Sequence, residues 1–278
     1  KVGTDETIAT MVSWGNHPET LGGDNPFLTS DFCGYWRDGV EAGVGDPNGA
    51  AGVGGMCLYF QGMVGGLMTQ LHTEVPHRNG IDKFKEDSFE KAQALGENLA
   101  ILTLNTLRGA EVVKCESPRV GVAAKTFYAP LAGLFKYAIA LGLVHPGVFW
   151  REGGIAARSE VDVVRVGDLE VATVPGELYP EIADGGVEAK PGRDFDIPPV
   201  EVPPLRKEMK GKVNMVFGLA NDEIGYILPK SQWDVAPPYV YDNDSQYGEE
   251  NSGGPDVAPA IHRESLALLR RMEDAWPQ

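Results

Sequence analysis

The sequence predicts a mixed α/β fold, α+β in kind: a mixed β-sheet covered by helices. Three observations carry that expectation. Short apolar runs bounded by glycine and proline read as strands. Longer segments with apolar residues at helical spacing read as helices. The two kinds of segment follow one another without regular βαβ alternation, which argues against a doubly wound parallel sheet.

Residues 8–14 read as a strand that runs into a loop at Gly15-Asn16-His17-Pro18-Glu19. Residues 22–26 are loop by composition. Residues 31–41 suit a helix, because Phe32, Tyr35, Trp36 and Val40 fall near helical spacing. Residues 43–55 are glycine-rich and have the composition of a flexible loop. Residues 56–60 form a short apolar strand, followed by a turn at 62–66. The clearest helix signal begins near Ser88, where Asp87 and Glu90 have capping-box spacing. Phe89, Ala92, Leu95, Leu99 and Leu102 then define one apolar face. Residues 112–115 and 120–126 read as strands, and 129–141 as a buried helix ended by Gly142. Residues 161–166 and 169–174 are β-runs split by Gly167-Asp168, a hairpin signal. The proline-rich stretch 191–204 is a long connection. Residues 214–219 and 226–228 are strand-like. Pro259 opens a final amphipathic helix through Ile261, Leu268, Leu269 and Met272. There is no internal repeat.

Composition narrows the function classes. A formal net charge of −16 repels phosphate backbones, so nucleic acid is not an expected partner. No window approaches the ~18 uninterrupted apolar residues of a transmembrane helix; the most apolar run, 128–144, is broken by Pro130, Lys136 and glycines. Cys33, Cys57 and Cys115 are widely spaced, form no CxxC knuckle and are expected to be buried free thiols. The sequence opens with Lys1 and reaches a core strand after a short lead, which suggests a cleaved leader or more of the fold upstream. A soluble, secreted or periplasmic protein is the expectation.

Three residues stand where chemistry is affordable. His17 lies just past an apolar strand, where an imidazole can meet a metal or make a structural hydrogen bond. Glu177, in Val174-Pro175-Gly176-Glu177, is delivered by a strand and exposed by a sharp turn, as a ligand, a base or a solvated turn residue. Tyr226 follows Asn221-Asp222-Glu223-Ile224-Gly225; its phenol can coordinate a cation, donate to an oxyanion or belong to the core. Tyr239, Tyr241 and Tyr247 fall in a loop dense in tyrosine and acid, suited to substrate contact. His72 and His77 match no zinc motif, and His145 and His262 read as structural. The glycine runs at 43–55 lack the context of a nucleotide loop. No GxSxG elbow is present.

Taken in order, these segments resemble the neutral/alkaline ceramidase family. Thr10-Met11-Val12-Ser13-Trp14-Gly15-Asn16-His17-Pro18-Glu19, then Ser30-Asp31-Phe32-Cys33-Gly34-Tyr35, resembles the family's zinc-binding histidine followed by a Ser-Asp-x-x-Gly-Tyr motif. Tyr59-Phe60-Gln61-Gly62 with Gly65-Gly66 resembles its glycine-rich turn. Val174-Pro175-Gly176-Glu177 looks like the strand-end motif whose glutamate binds zinc. Asn221 through Tyr226, then Trp233, Tyr241 and Tyr247-Gly248, looks like its tyrosine-bearing segment.

The resemblance implies that residues 1–278 are the later part of one catalytic domain, incomplete at the N-terminus and without the family's C-terminal β-sandwich. It implies His17, Glu177 and Tyr226 as zinc ligands, and Tyr241, with Tyr239 as the alternative, as a catalytic tyrosine. The implied activity is hydrolysis of an N-acyl amide of a small molecule or lipid by zinc-activated water. The family's His-x-His motif has no counterpart here, and the glycine-rich turn reads Gly62-Met63-Val64-Gly65-Gly66 rather than Gly-Asp-Val-x-Pro. An upstream chain or fragment completing the site is therefore a further expectation. A non-catalytic scaffold with a degenerate metal site, and an esterase or peptidase on the same scaffold, remain open alternatives.

Overall fold

A computed structural model describes residues 1, 3–66, 68–110, 112–142, 148–151, 154–187, 198–234 and 247–276. The chain forms two compact units, one of Lys1–Gln61 with Leu67–Lys114, the other of Gly62–Gly66 with Cys115–Gln278.

The first unit runs β1 (Ala9–Trp14), α1 (Asp31–Ala42), β2 (Gly43–Val44), β3 (Ala50–Ala51), β4 (Met56–Gln61), β5 (Val75–Pro76), β6 (Lys83–Phe84) and α2 (Phe89–Leu107). Strands β1 and β4 pair in parallel, with Ala9 opposite Met56 and Trp14 opposite Gln61. Val12 and Cys57 from this ladder meet Phe32, Trp36 and Val40 of α1 and Leu95 and Ala100 of α2 in one core. Trp14, Phe32, Trp36 and Tyr59 interlock edge to face, the arrangement ring quadrupoles favour.

The two helices cross closely because glycine sits at both contact points. A Cβ on Gly96 would lie 2.5 Å from Tyr35 Cβ and 2.6 Å from the Phe32 carbonyl oxygen. One on Gly39 would lie 2.6 Å from Ala100 Cβ. The Ser-Asp-x-x-Gly-Tyr segment is likewise structural in this unit. Asp31, buried and with φ of 51°, accepts from the Thr20 hydroxyl, from Leu21 N at 3.2 Å and from Phe32 N at 2.6 Å. One carboxylate thus ties the loop after His17 to the start of α1.

Several sequence expectations are corrected here. The N-cap of α2 is Ser88, whose hydroxyl accepts from Lys91 N at 3.1 Å, not the capping box from Asp87. The buried residues of α2 are Lys91, Ala92, Ala94, Leu95, Gly96, Ala100 and Leu104, while Phe89 and Leu102 of the expected stripe are exposed: small residues are selected where α1 crosses closely. The glycine-rich segment at 43–55 is a packed hairpin, β2 against β3 with Gly43 opposite Ala51. There, Cβ atoms on Gly43 and Gly52 would strike backbone. Residues 112–115 form no strand, since Val112 and Val113 stand in solvent without a ladder partner.

The second unit contains β7 (Val120–Pro130), α3 (Gly133–Ala140), β8 (Val148–Arg151), β9 (Gly154–Val166), β10 (Leu169–Thr173), β11 (Glu177–Leu178), α4 (Pro180–Asp184), α5 (Leu205–Glu208), β12 (Val213–Phe217), β13 (Tyr226–Ile227), α6 (Tyr247–Glu250) and α7 (Val257–Ala275). A sheet orders β12-β10-β9-β7, with β8 also on β9; only β10 and β12 are parallel. Gly167-Asp168 makes the expected two-residue hairpin, closing Val166 against Leu169. One face packs Ala123, Phe127, Val161, Val163, Ala172 and Val216 with Ile261, Leu268, Leu269 and Met272 of α7. A mixed sheet covered by a helix is thus the architecture of this unit, as the alternating patterns of β7 and β9 require.

Helix α3 departs from expectation. It spans Gly133–Ala140 because residues 129 and 130 belong to β7, and Tyr137 and Leu141 are exposed rather than buried. His262 is structural, as expected: its Nε2 meets the Pro203 carbonyl at 2.8 Å. His145 and residues 191–197 of the proline-rich connection lie outside the described residues. Cys33 and Cys57 are buried free thiols, pushed up to about 12 and about 11 chiefly by desolvation, with Asp31 and Glu41 adding. Cys115 is free but exposed, because no strand draws it inward. No helix among the described residues is long and apolar enough to cross a membrane.

Candidate metal centre

Strand β10 ends at Thr173, and Val174-Pro175-Gly176 turns the chain into β11. That turn is held by backbone bonds from Val174 N to Phe217 O at 2.8 Å, Leu219 N to Gly176 O at 3.0 Å and Ile224 N to Pro175 O at 3.0 Å. Space dictates the glycines. A Cβ on Gly176 would lie 2.5 Å from the Gly225 oxygen, and one on Gly218 would lie 2.6 Å from the Gly62 oxygen. A Cβ on Gly65 would lie 2.5 Å from the Glu177 oxygen and 2.6 Å from Leu178 C. The glycine-rich turn at 62–66 therefore packs backbone to backbone on β11, fastened by Gly65 N to Leu178 O at 3.0 Å.

This glycine cluster sets Glu177 beside Tyr226. Strands β11 and β13 are parallel, with Glu177 opposite Tyr226 and Leu178 opposite Ile227. Register partners present their side chains on the same side of a ladder. The Tyr226 phenol has its pKa raised by desolvation first, then by the Glu177 charge beside it. Two oxygen donors, one acidic and one phenolic, thus share one ladder position. Such a pair suits zinc or a harder cation.

The surroundings are acidic and aromatic. Tyr226 lies edge-on to Tyr179 at 6.4 Å and to Tyr247 at 5.7 Å between ring centroids. Burial raises the Tyr179 phenol, with Glu249, Glu181 and Glu177 adding like-signed charge. Glu223 accepts from Gly225 N at 2.7 Å. Although the residue as a whole is exposed, desolvation of its carboxyl lifts it to about 7, and the charges of Glu177 and Asp222 add to this. A carboxyl poised there can exchange a proton near neutrality. Sequence reasoning missed Tyr179 and Glu223. Glu223 stood in the quoted segment without a role, and only its approach to Glu177 gives it one.

His17 belongs to the first unit. It is half-buried, its N–H donates to Met68 O at 2.7 Å, and it forms a parallel bridge with Thr69. The Asn16 amide donates to its carbonyl at 2.9 Å, and Glu19 accepts from the Thr69 hydroxyl at 2.6 Å. The loop after β1 is therefore built rather than loose. Tyr239 and Tyr241 lie outside the described residues. Among the described residues, no three His, Cys, Asp or Glu side chains gather at ligand spacing. The structure brings Glu177 and Tyr226 together on one ladder.

No family model matches this sequence, and no curated protein matches it. Among solved structures, the chain is similar to a neutral ceramidase from Pseudomonas aeruginosa, at 14% identity and a TM-score of 0.58, over 98% of this chain and 45% of that one. It is also similar to a ceramidase complexed with C2, at 12% identity and a TM-score of 0.58, over 97% of this chain and 46% of that one. The chain thus spans less than half the length of these structures. At this identity, what it shares with them is the mixed α/β, ceramidase-like fold.

Proposed function

We propose that this chain is the later part of a zinc-dependent hydrolase that cleaves an N-acyl amide bond, with a small-molecule or lipid amide as substrate. The observation that carries the reading is the Glu177–Tyr226 pair, placed on opposed positions of β11 and β13 by a glycine cluster. The fold it shares with solved ceramidases supports the same reading.

In this reading Glu177 supplies a carboxylate and Tyr226 a phenol oxygen to zinc, and His17 is carried as a ligand on the sequence resemblance. Zinc, when bound, lowers the pKa of water to about 7 and polarises a carbonyl. Tyr226 keeps its proton to a higher pH than a free phenol, because burial and the neighbouring Glu177 charge both oppose its ionisation. Glu223 is placed to accept a proton near neutral pH. Tyr241, or Tyr239 in its place, donates a hydrogen bond to the carbonyl oxygen as it gains charge. Hydrolysis adds water across the C–N bond: oxygen joins the acyl carbon, the C–N bond breaks, and the amine leaves with a proton. An upstream segment supplies the remaining ligands, since nothing in this sequence matches the family's His-x-His motif.

The test is turnover of an N-acyl amide and its ester analogue by the full chain, with and without chelator. Amide turnover abolished by chelation and restored by zinc supports the reading. Ester turnover alone would transfer it to an esterase. Zinc binding without turnover of either, in the presence of the upstream segment, would make the chain a scaffold.

A further inference from the structure

A cavity lies in the second unit, its lining separate from the Glu177–Tyr226 pair. It holds about 440 Å³ between β7, β8 and β9 on one side and the start of α7 on the other. That volume falls in the ~300–1,000 Å³ range of small-molecule clefts. Its walls carry two guanidinium groups, Arg151 from β8 and Arg263 from α7. In a chain of net charge −16, two arginines facing one cavity run against the general sign.

Each arginine keeps donors for a ligand. Arg151 stacks on the Tyr128 ring, 3.9 Å from its centroid. Stacking uses the guanidinium face and leaves its edge N–H groups for an acceptor. The Tyr128 ring is itself braced edge-on by Phe149 at 5.5 Å, so the stacked group is held in place. Arg263 donates through Nε and Nη2 to a single Glu264 oxygen, at 3.1 and 2.9 Å, which leaves Nη1. Asp256, the acidic group among the described residues of the wall, is answered by Lys230 at 2.5 Å. The remaining walls include Leu131 and Ile155.

We infer that this cavity binds a small organic carboxylate with an apolar body. The carboxylate meets the edges of Arg151 and Arg263, as planar guanidinium groups favour, and the chain lies on Leu131 and Ile155. The inference is independent of the zinc reading.

The experiment is calorimetric titration of the full chain with hexanoate, acetate, hexan-1-ol and inorganic phosphate. Saturable hexanoate binding is expected, with acetate at least about ten-fold weaker from the lost CH₂ contacts and hexan-1-ol not binding. Arg151→Gln and Arg263→Gln should each weaken hexanoate by about ten-fold or more, since each removes a charge-assisted bond. Lys125→Gln, exposed on β7 and outside the cavity, should leave it unchanged. Thermal melts followed by circular dichroism check that the variants fold. If loss of the Tyr128 stack unfolds Arg151→Gln, Arg263→Gln decides alone. No saturable hexanoate binding, binding unaffected by Arg263→Gln, or phosphate binding as tightly as hexanoate would each overturn the inference.

Discussion

Gly65→Ala tests whether the turn at 62–66 truly positions the candidate site. Gly65 has a backbone conformation open to alanine, so the substitution is decided by space alone. The added Cβ would lie 2.5 Å from the Glu177 oxygen, 2.6 Å from Leu178 C and 2.6 Å from Tyr179 Cδ2. Such atoms normally meet at about 3.5 Å, so turn and strand must part by roughly 1 Å. Two of the three obstructing atoms are backbone and cannot turn aside as a side-chain tip can. The bond from Gly65 N to Leu178 O, now 3.0 Å, would stretch with them. Overpacking of this kind costs about 1–3 kcal/mol. Against it, alanine restricts the unfolded chain and returns about 0.4–1 kcal/mol. A net loss of about 1–2 kcal/mol is expected, a large share of the ~5–15 kcal/mol that holds a typical domain. Urea denaturation followed by circular dichroism measures it. A midpoint equal to or above the parent's would refute the backbone-to-backbone packing.

Further expectations concern the two units separately. Helix propensity alone would have Gly96→Ala stabilise α2 by about 1 kcal/mol; contact with α1 should instead lower the denaturation midpoint, and a raised midpoint would contradict the close crossing. Burial lowers the His262 pKa, so below about 6.5 the unfolded chain takes up the proton that the fold resists. Stability should therefore fall as pH drops through that window, and the loss should shrink in His262→Gln; equal pH dependence in both proteins would count against it. A thiol reagent at neutral pH should modify Cys115 quickly while the desolvated Cys33 and Cys57 react only on unfolding. Three equally fast thiols would contradict that burial.

The legible parts of the fold were those with a clean period. The apolar runs of β1 and β4, the spacing in α1 and α7, and the Gly167-Asp168 hairpin each carry local signals that the tertiary structure leaves intact. The misread parts are those where neighbours decide. Leu102 matched a helical stripe, but the close approach of α1 buries small residues instead. Val112 and Val113 have strand-like side chains and no strand to pair with. Residues 129 and 130 continue an apolar run with helical spacing, yet β9 extends the ladder through them. At the site, the Glu177 motif was legible as a turn after a strand. That Glu177 and Tyr226 share a ladder position was not, because the pairing depends on glycines at 65, 176, 218 and 225 whose contacts are all distant in sequence. Glu223 owes its raised pKa to the same assembly.

Zinc binding by the full chain, followed by equilibrium dialysis and elemental analysis, bears most directly on the pair. If Glu177 and Tyr226 hold the metal, the parent should bind about one equivalent, Glu177→Ala should lose most of it, and Tyr226→Phe should bind more weakly with its fold unchanged. Each lost ligand should cost more in affinity than the roughly 10–100-fold that loss of a supporting partner typically does. Equal zinc content in the parent, Glu177→Ala and Tyr226→Phe would contradict the assignment and leave the pair a structural part of a ceramidase-like fold.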